Sequence, residues 1–311
     1  MALIDIIIPV YRTPIHWVEQ TLVSVKAQKF DDWKVLVIDD GSGVKYQSHI
    51  QQTAESVDSD RIIVINYENS AGPAHARNMG INTSSSRYVA FLDADDLWLP
   101  DKLANQISIF ESNPDYSLVC GNMSTIDDDG YLMSRRSNDP SSIFNNLTQE
   151  ERIISLLRKN WVKTLTVMVT RESLDHVGLF DESLQSCTDW DLWLRYAINK
   201  ELIHYEDIVW AKYRKHLASI SHNYELVLQS RVAVVKKAIE RIKRNYHGLV
   251  KKDLEEWLLR KAHLSIASKL YHSGQFMEAA IVARDSLRHG YTWAGLKRFV
   301  KSRIRAEIPL I

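Results

Sequence analysis

The sequence predicts an α/β fold with a mainly parallel central sheet, followed by a C-terminal helical extension. From Ile4 to Leu92, short apolar runs rich in β-branched residues alternate with segments of helical periodicity, as in sheets covered by helices. Carboxylates cluster where several of these runs end. After residue 222, apolar residues recur at helical spacing among Lys and Arg. We therefore divide the chain into residues 1–222 and 223–311.

The individual elements follow from local periodicity and from turn residues. The predicted strands are Ile4–Val10, Trp33–Ile38, Ile62–Asn66, Arg87–Leu92, Ser117–Asn122 and Thr164–Thr170. The predicted helices are Trp17–Gln28, Ile50–Val57, Gly72–Ile81, Leu103–Ser112 and Asp189–Asn199. In parallel sheets, ligands bind beyond the carboxyl ends of the strands. We therefore expect the side chains that follow these strands, Tyr11, Asp39, Asp40, Asp93 and Asp95, to converge at one edge.

Three carboxylates, Asp93, Asp95 and Asp96, follow the apolar run Val89–Leu92. Two like charges about 4 Å apart repel by roughly 4 kcal/mol at an effective dielectric near 20, so a cation, a proton or a hydroxyl-rich ligand must offset the repulsion. Mg²⁺ and Mn²⁺ bind carboxylates and bridge them to substrate phosphates. The alternative is a solvated acidic loop that caps the next helix. We expect Asp96 to cap that helix or to support its neighbours.

Composition and missing motifs exclude several classes of protein. The sequence has no Gly-x-Gly-x-x-Gly after the first strand, no Gly-Lys-Ser/Thr loop, no Gly-x-Ser-x-Gly elbow and no Cys/His zinc pattern. Two cysteines, Cys120 and Cys187, are too few for a disulfide framework and suit a reducing compartment. No signal peptide and no apolar run of membrane-spanning length is visible. We expect a cytoplasmic protein.

Six motifs occur in a fixed order along the chain. They are Ile8-Pro9-Val10-Tyr11, Val37-Ile38-Asp39-Asp40-Gly41-Ser42, Gly72-Pro73-Ala74-His75-Ala76-Arg77-Asn78-Met79-Gly80, Phe91-Leu92-Asp93-Ala94-Asp95-Asp96, Asp189-Trp190-Asp191-Leu192-Trp193-Leu194-Arg195 and Tyr213-Arg214-Lys215-His216-Leu217-Ala218-Ser219-Ile220-Ser221. Together these resemble family-2 glycosyltransferases, which use nucleotide-diphosphate sugars on the GT-A fold. The resemblance covers roughly residues 3–221. It implies an inverting transfer, with a UDP-sugar as the expected donor, to a hydroxyl of a glycan or lipid-linked acceptor.

The resemblance implies which residues bind the donor. The nucleotide-binding residues are Pro9, Tyr11, Asp40, Arg77 and Asp93. Asp40 matches an Asp that contacts the base, usually uracil, and Arg can bind a base or a phosphate. The alternatives are a strand-ending turn at Asp40 and a surface arginine at Arg77. Asp95, with Asp93, matches the metal-binding DxD motif for Mn²⁺ or Mg²⁺, and His216 matches a His that closes over the metal or diphosphate, although a lone His is more often structural.

Asp189 matches the catalytic base of the family, with Asp191 as the fallback. Helix capping is the competing explanation, because Asp is a favoured N-cap residue. The sequence departs from the family pattern at two positions. Thr188 stands where a Glu is expected, and Arg12 stands where Asn is usual, which alters contacts near the ribose or leaves them to backbone atoms.

Two other functions remain open. A sugar nucleotidyltransferase needs a Gly-rich loop with Arg and Lys near the first strand, and this stretch offers only Arg12. A non-catalytic nucleotide- or glycan-binding relative is favoured by Thr188. From Lys212 onward the chain holds 21 Lys and Arg against 8 Asp and Glu. This basic region, with an apolar stripe at Trp293, Leu296, Phe299, Val300 and Ile304, predicts either contact with an anionic membrane at the inner face of the cell or helix packing, including a homodimer. We expect no nucleic-acid partner.

Overall fold

The computed structural model describes residues 2–136, 144–216, 223–290 and 297–302. The chain divides into two units, one formed by Met1–Ser183 and Asp189–His216, and the other by Leu184–Thr188 and Leu217–Ile311. The first contains a sheet with helices, and the second is helical. The predicted α/β class and C-terminal helices are therefore confirmed. The boundary predicted after residue 222 lies outside the described residues.

Within the described residues, nine strands form one sheet in the first unit. The strands are β1 (Ile4–Val10), β2 (Trp33–Asp39), β3 (Ile62–Asn66), β4 (Tyr88–Phe91), β5 (Leu97–Trp98), β6 (Tyr116–Ile126), β7 (Leu132–Ser134), β8 (Met168–Thr170) and β9 (Leu202–Arg214). Their order is β3-β2-β1-β4-β8-β6-β9-β5, with β7 beside β6. The first four strands are parallel, β8 is antiparallel to β4 and β6, and β9 is parallel to β6.

Helices connect these strands and form the second unit. They are α1 (Ile15–Lys26), α2 (Val44–Asp58), α3 (Pro73–Thr83), α4 (Lys102–Ser112), α5 (Gln149–Arg158), α6 (Arg171–Val177), α7 (Thr188–Ile198), α8 (Tyr224–Asn245), α9 (Lys252–His272) and α10 (Phe276–Ser286). Short 3₁₀ turns span Thr164–Thr166 and Leu287–His289, and residues 297–302 are helical.

The packing of β1 and α1 explains why the first part of the sheet could be predicted. Every residue of β1 except Pro9 is buried, because the strand is central and both its neighbours are parallel. On α1, the predicted face is buried: Trp17, Val18, Leu22 and Val25. Each fully buried Val or Leu contributes about 1.5–3 kcal/mol relative to exposure, so this stripe fixes the helix on the sheet.

Strands β5, β7 and β9 and helices α5 and α6 were not predicted, and one predicted strand has another conformation. The strand predicted at Thr164–Thr170 is a 3₁₀ turn followed by β8. In that turn, the Thr166 hydroxyl and backbone N–H both donate to the Lys163 carbonyl at 2.8 Å, a local bonding pattern that competes with a strand. Strand β9 was not predicted, because Glu206 and Asp207 interrupt its apolar alternation.

The second unit is helical throughout its described elements, as predicted. Its core contains Val227 of α8, Ile266 and Leu270 of α9 and Ala279 of α10. Of the predicted apolar stripe, only Phe299 and Val300 belong to the described residues, and Val300 is exposed; Trp293, Leu296 and Ile304 lie outside them. No described helix combines the length and apolar character needed to cross a bilayer.

Candidate active site

The turn after β2 is built around the carboxylate of Asp40. Its Oδ2 accepts hydrogen bonds from the Ser70 hydroxyl at 2.6 Å and the Gly72 backbone N–H at 2.8 Å. Its Oδ1 accepts the Ala71 N–H at 3.0 Å. A carboxylate offers about four acceptor positions. Asp40 therefore uses three of these positions to bind the loop that leads into α3.

Gly41 lets the turn after β2 and the loop before α3 approach each other. Its φ is +75°, and a Cβ there would lie 2.5 Å from the Ser70 nitrogen and 2.7 Å from the Asn69 carbonyl carbon. A side chain would therefore displace backbone atoms as well as adopt a left-handed conformation. The preceding Asp39 is fully buried and accepts hydrogen bonds from Gln47 at 2.9 Å and from the Ser42 N–H at 3.2 Å. Both carboxylates after β2 thus organise local backbone.

Arg77, one turn into α3, reaches the first carboxylate after β4. Its Nη2 donates to Asp93 Oδ1, and the guanidinium lies 5.6 Å from the ring centroid of Phe180. The Arg77 side chain is 10% exposed and that of Asp93 is 38% exposed. The ion pair therefore has a buried cation and an accessible carboxylate. Arg77 is not the free surface arginine of the alternative interpretation.

Asp95 and His216 form a second ion pair at this edge. Asp95 Oδ2 lies 2.7 Å from His216 Nε2, and the imidazole packs against the Trp17 ring with centroids 4.8 Å apart. Burial, followed by the negative charge of Asp93, raises the pKa of Asp95, and the hydrogen bond to His216 opposes that shift. This is the repulsion that the three clustered carboxylates predicted. The structure thus brings together Asp93, Asp95 and His216.

The side chain of Arg214 holds the backbone of the loop that contains Asp95 and Asp96. Its side chain is buried, and its Nε donates to the Asp95 carbonyl at 2.9 Å. Its backbone N–H donates to Asp96 Oδ1 at 2.8 Å, so Asp96 supports its neighbours and does not cap the next helix. Nη1 donates to the Asp128 carbonyl at 2.9 Å and Nη2 to Gln20 at 2.7 Å. Burial, with Asp95 and Asp93 nearby, raises the pKa of Asp96 well above its ordinary value.

Asp189 lies at the start of α7 and is held by two neutral donors. Its Oδ2 accepts hydrogen bonds from the Asn160 amide at 2.9 Å and from the Thr164 hydroxyl at 3.1 Å. The helix begins at Thr188, so Asp189 is its second residue and not its N-cap. The carboxylate is half-buried, and its Oδ1 takes no part in these two bonds. One oxygen is therefore fixed, and the other is left for further interactions.

Asp191, the fallback for the catalytic base, has a structural position. It is fully buried and pairs with Arg195 Nε at 2.9 Å. Arg195 in turn donates to the carbonyls of Val177, at 2.9 Å, and of Leu179. This pair anchors the loop after α6, and the geometry does not support Asp191 as a base.

The topology explains why distant residues share one edge of the sheet. Asp40 and Asp93 follow the parallel strands β2 and β4. Strand β8 runs antiparallel to β4, with Ala90 opposite Met168, so the Thr164–Thr166 turn that precedes β8 lies where β4 ends. The Trp98 indole donates to the Leu165 carbonyl at 2.7 Å, which ties that turn to the segment after Asp95. Asp189, bonded to Thr164, therefore belongs to the same edge.

Pro9 and Tyr11 lie at the end of β1, which is central to this edge. Pro9 is half-buried, and Tyr11 is 48% exposed. The backbone carbonyl of Val10 between them accepts the Asp40 N–H at 2.9 Å. The predicted donor-binding residues are thus all placed at the carboxyl edge of the first four strands.

The donor set after β4 fits a divalent cation that also binds phosphate. No group of three or more His, Cys, Asp or Glu side chains that could hold a metal occurs in the part of the chain that the structure describes. Mg²⁺-type sites, however, use one or two carboxylates, with substrate phosphates and waters completing the shell. Asp93 and Asp95 supply two oxygens that take no part in the ion pairs with Arg77 and His216. The residues present therefore fit such an ion.

Sequence reasoning missed three residues of this site. Arg214 belongs to the motif Tyr213–Ser221, and its place two residues before His216 was the one available signal. Thr164 was assigned to a strand, where its hydroxyl has no special role. For Asn160 no signal exists, because its partner Asp189 is distant in sequence.

Comparison with known proteins assigns the chain to a family. A family model described as Glycosyl transferase family 2 matches residues 5–178, more than half of the chain. The chain belongs to glycosyl transferase family 2. The predicted family and enzyme class are therefore confirmed at the family level. A relative from Escherichia coli, UDP-Glc:alpha-D-GlcNAc-diphosphoundecaprenol beta-1,3-glucosyltransferase WfgD, is 29% identical over 224 residues, which are 71% of this chain and 80% of that protein.

Other family-2 relatives are longer than this chain. An uncharacterized glycosyltransferase of Rickettsia bellii is 34% identical over 195 residues, which cover 62% of this chain and 26% of that protein. The match to two further Rickettsia relatives spans 34% and 32% of their length. The chain therefore corresponds to about a quarter to a third of these proteins.

Solved structures share the fold. S. aureus TarS 1-349 in complex with UDP-GlcNAc has a TM-score of 0.65 at 16% identity, over 96% of this chain and 88% of that one. The mannosyltransferase PcManGT of Pyrobaculum calidifontis, in complex with GDP-Man and Mn²⁺, has a TM-score of 0.60 at 17% identity, over 99% and 88%. The predicted GT-A fold is confirmed.

Proposed function

We propose that this chain transfers a sugar, with inversion, from a nucleotide-diphosphate donor to a hydroxyl of a glycan or lipid-linked acceptor. The observation that carries the proposal is the position of Asp189. Its carboxylate is oriented by Asn160 and Thr164 at the edge of the sheet that also holds the Asp93 and Asp95 ion pairs. A base and an anion-binding site at one edge are the two parts that a single displacement needs.

In the proposed reaction, Asp189 accepts the proton of the acceptor hydroxyl. The resulting oxygen attacks the anomeric carbon, and a new C–O bond forms as the bond to the diphosphate breaks. The nucleotide diphosphate leaves with the bonding electrons. Because one displacement occurs, the anomeric configuration inverts. Asn160 and Thr164 both donate to Oδ2, so they orient the carboxylate with Oδ1 directed to the acceptor.

We assign a divalent cation, Mn²⁺ or Mg²⁺, to Asp95 and Asp93, with His216 beside them. When bound, such an ion neutralises the negative charge that accumulates on the leaving diphosphate. The raised pKa of Asp95 supports this assignment, since a carboxylate held beside another without full compensation gains most from a cation. Arg77 shares Asp93 and adds a fixed positive charge there.

We assign the nucleoside to the side of the edge formed by Pro9, Tyr11 and Asp40. Tyr11 offers an exposed ring, and Asp40 holds the loop that leads into α3. UDP is the proposed nucleotide, which the name of the E. coli relative, a UDP-Glc-dependent glucosyltransferase, supports. That name also supports a lipid-diphosphate-linked acceptor.

We further propose that the basic helices contact an anionic membrane, where lipid-linked acceptors reside. Exposed basic residues on and between α8 and α9 support this, among them Lys236, Arg244 and Lys251. Co-sedimentation with vesicles of anionic against zwitterionic lipid tests it. Binding that is equal for both lipids, or absent, contradicts it.

The function is tested by release of nucleotide diphosphate from UDP-Glc, UDP-GlcNAc and GDP-Man, with a lipid-diphosphate-linked GlcNAc as acceptor and with or without Mn²⁺. For Asp189→Asn we expect turnover to fall by about 10²–10⁴-fold, the usual contribution of a general base. Thermal stabilisation by the nucleotide diphosphate should persist, because Asp189 is not assigned to the donor. Asp175→Asn, an exposed carboxylate on α6, is the matched control.

Three outcomes separate the alternatives. Wild-type turnover in Asp189→Asn contradicts the assignment of the base. Nucleotide binding without any release favours the non-catalytic relative, for which Thr188 is the sequence signal. Diphosphate release with retention at the anomeric carbon, read by NMR of the product, contradicts the single displacement.

A further inference from the structure

Arg12 has a backbone conformation that few side chains adopt. It follows β1 with φ of +50°, in the left-handed region that Gly and Asn tolerate and that other residues adopt only when their surroundings hold them there. The surroundings do hold it, because the Arg12 N–H donates to the Ser42 hydroxyl at 3.0 Å. Strained residues of this kind cluster at functional sites. Because Gly or Asn would adopt this conformation with less strain, the presence of an arginine here indicates that its side chain has a role.

The guanidinium of Arg12 is an exposed cation beside an aromatic ring. It lies 5.1 Å from the centroid of the neighbouring Tyr11 ring, which is itself 48% exposed. Among the residues that the structure describes, no Asp or Glu forms an ion pair with it. The charge is therefore available, and the aromatic contact limits the orientations of the side chain.

Sheet order places this cation between the two halves of the site. Strand β1 lies between β2 and β4, so the turn after β1 lies between Asp40, which follows β2, and Asp93, which follows β4. The hydrogen bond to Ser42 ties Arg12 to the Asp40 side. In the proposed function the nucleoside lies at Tyr11 and Asp40 and the diphosphate at Asp93 and Asp95, so a donor that joins the two has its first phosphate beside Arg12, which follows Tyr11 in the chain.

The chemistry of the guanidinium favours a phosphate over a base. Its Cζ lies 5.1 Å from the Tyr11 centroid, and its N–H donors form no ion pair with a carboxylate in the described part of the chain. In-plane donors match the paired oxygens of a phosphate, and Arg is suited to such bidentate bonds. Stacking on a base would leave these donors unused.

We propose that Arg12 binds the donor phosphate closest to the nucleoside and that its strained backbone is retained for this contact. The inference rests on the proposed function, because only a nucleotide donor brings a phosphate to this position. It makes Arg12 a binding residue that the family pattern, with Asn at this position, does not predict.

The test compares Arg12→Asn with the wild-type chain in titration calorimetry with uridine, UMP and UDP, or with the guanosine series if that is the one the wild type binds. Affinity for the mono- and diphosphate should fall about tenfold, as expected for loss of a charge-assisted hydrogen bond. Affinity for the nucleoside should not change. The unfolding midpoint without ligand should rise, because Asn tolerates the left-handed conformation better than Arg.

Two matched controls are available. Arg87 is also exposed and also lies over an adjacent Tyr ring, at 5.3 Å, but it precedes β4 at the opposite edge of the sheet, so Arg87→Asn should leave all three affinities unchanged. Lys200 is another non-glycine residue at positive φ, +66°, at the end of α7. Lys200→Gly should raise the unfolding midpoint without changing nucleotide affinity, which separates relief of strain from loss of binding.

The outcomes distinguish this inference from the function on which it rests. An equal loss of affinity for nucleoside, mono- and diphosphate overturns it in favour of base stacking, and unchanged affinity for all three overturns it outright. Nucleoside affinity also reports that the variant is folded. If the wild type binds no nucleotide, the proposed function fails before Arg12 is tested.

Discussion

The two sides of the candidate site hold their carboxylates in different ways. On the β2 side, Asp40 is held by two backbone N–H groups and one hydroxyl from the 70–72 loop. On the β4 side, Asp93, Asp95 and Asp189 are bonded by the side chains of Arg77, His216, Asn160 and Thr164. The first arrangement shapes the backbone. The second leaves charged groups whose partners a ligand can share or replace.

This difference indicates which substitutions change stability and which change chemistry. A carboxylate that holds backbone amides cannot be altered without unsatisfied donors in the loop. A carboxylate held by side chains, with its pKa raised by burial and a like charge, is maintained at a cost to the folded state. Substitutions on the two sides should therefore separate into two classes of effect.

The largest effect is expected for Asp95→Asn. Activity should fall by at least about 100-fold, since loss of groups that merely support a metal ligand costs up to that factor. The thermal midpoint should change little, because the substitution removes repulsion with Asp93 along with the ion pair to His216. Steady-state turnover at saturating Mn²⁺ and calorimetric unfolding measure the two quantities. Asp115→Asn, exposed beside the start of β6, is the control.

Asp40→Asn should show the opposite pattern. An amide presents its NH₂ group to donors that need an acceptor, so the variant should lose about 1–3 kcal/mol of unfolding free energy. Urea denaturation measures the loss, with the exposed Asp60→Asn as control. A variant that is as stable as the wild type but fails to bind nucleotide would show that the two sides do not differ as described.

Thr164→Val tests, on the β4 side, whether a side-chain donor positions the Asp189 carboxylate. It removes one of the two donors to Asp189 Oδ2 without changing side-chain shape, so kcat should fall about tenfold, the equivalent of one hydrogen bond. KM for the donor should stay the same. Thr164→Ser keeps the hydroxyl and should restore kcat. Equal kcat in the Val and Ser variants contradicts a positioning role for Thr164.

The last effect concerns stability and not activity, at a buried amine close to the Thr164–Thr166 turn. Lys102 is fully buried, its Nζ donates to Gln106 at 2.6 Å, and Gln106 donates to the Thr166 carbonyl at 2.8 Å. Burial lowers the pKa of Lys102 well below 10.5. The unfolded chain thus binds more protons between that pKa and about 10.4, so stability rises with pH there, by at most about 1.4 kcal/mol per pH unit.

In Lys102→Met this rise should disappear, whereas the exposed Lys45→Met should retain it. Urea denaturation from pH 7 to pH 10 measures the slope. If the rise persists in Lys102→Met, other groups cause the pH dependence and the prediction for Lys102 is wrong.

Much of the fold was readable from periodicity. The first four strands and the helices between them are continuous, strongly apolar segments, and their predicted bounds differ from the observed ones by a few residues, or by six at the start of α2. Strand β9 and the turn at Thr164 could not be predicted from periodicity. The conformation of β9 depends on its pairing with β6, and that of the turn depends on a local hydroxyl hydrogen bond. Asp93 and Asp95 were recognisable because three carboxylates cluster at the end of one apolar run, and Asp189 was recognisable through the resemblance to the family motif.

What no pattern contained is which side chains hold these carboxylates. Asn160 and Thr164 precede Asp189 by 29 and 25 positions, and Arg214 follows Asp95 by 119. Such pairs are set by sheet order and not by spacing. Asp191 and Arg195, by contrast, lie four residues apart on α7, so helix spacing sets that pair, whereas sheet order brings Asp40 to the loop before α3.

The sequence by itself determined the apolar periods, the strand ends and the carboxylates placed there, because these depend on neighbours within a few residues. The tertiary structure alone decided how those carboxylates differ. Hydrogen bonds act over about 3 Å, so the role of each acid depends on which donors the fold brings to it. For Asp40 and Asp93 these come from α3 and the loop before it, and for Asp95 and Asp189 from the segments next to β9 and β8.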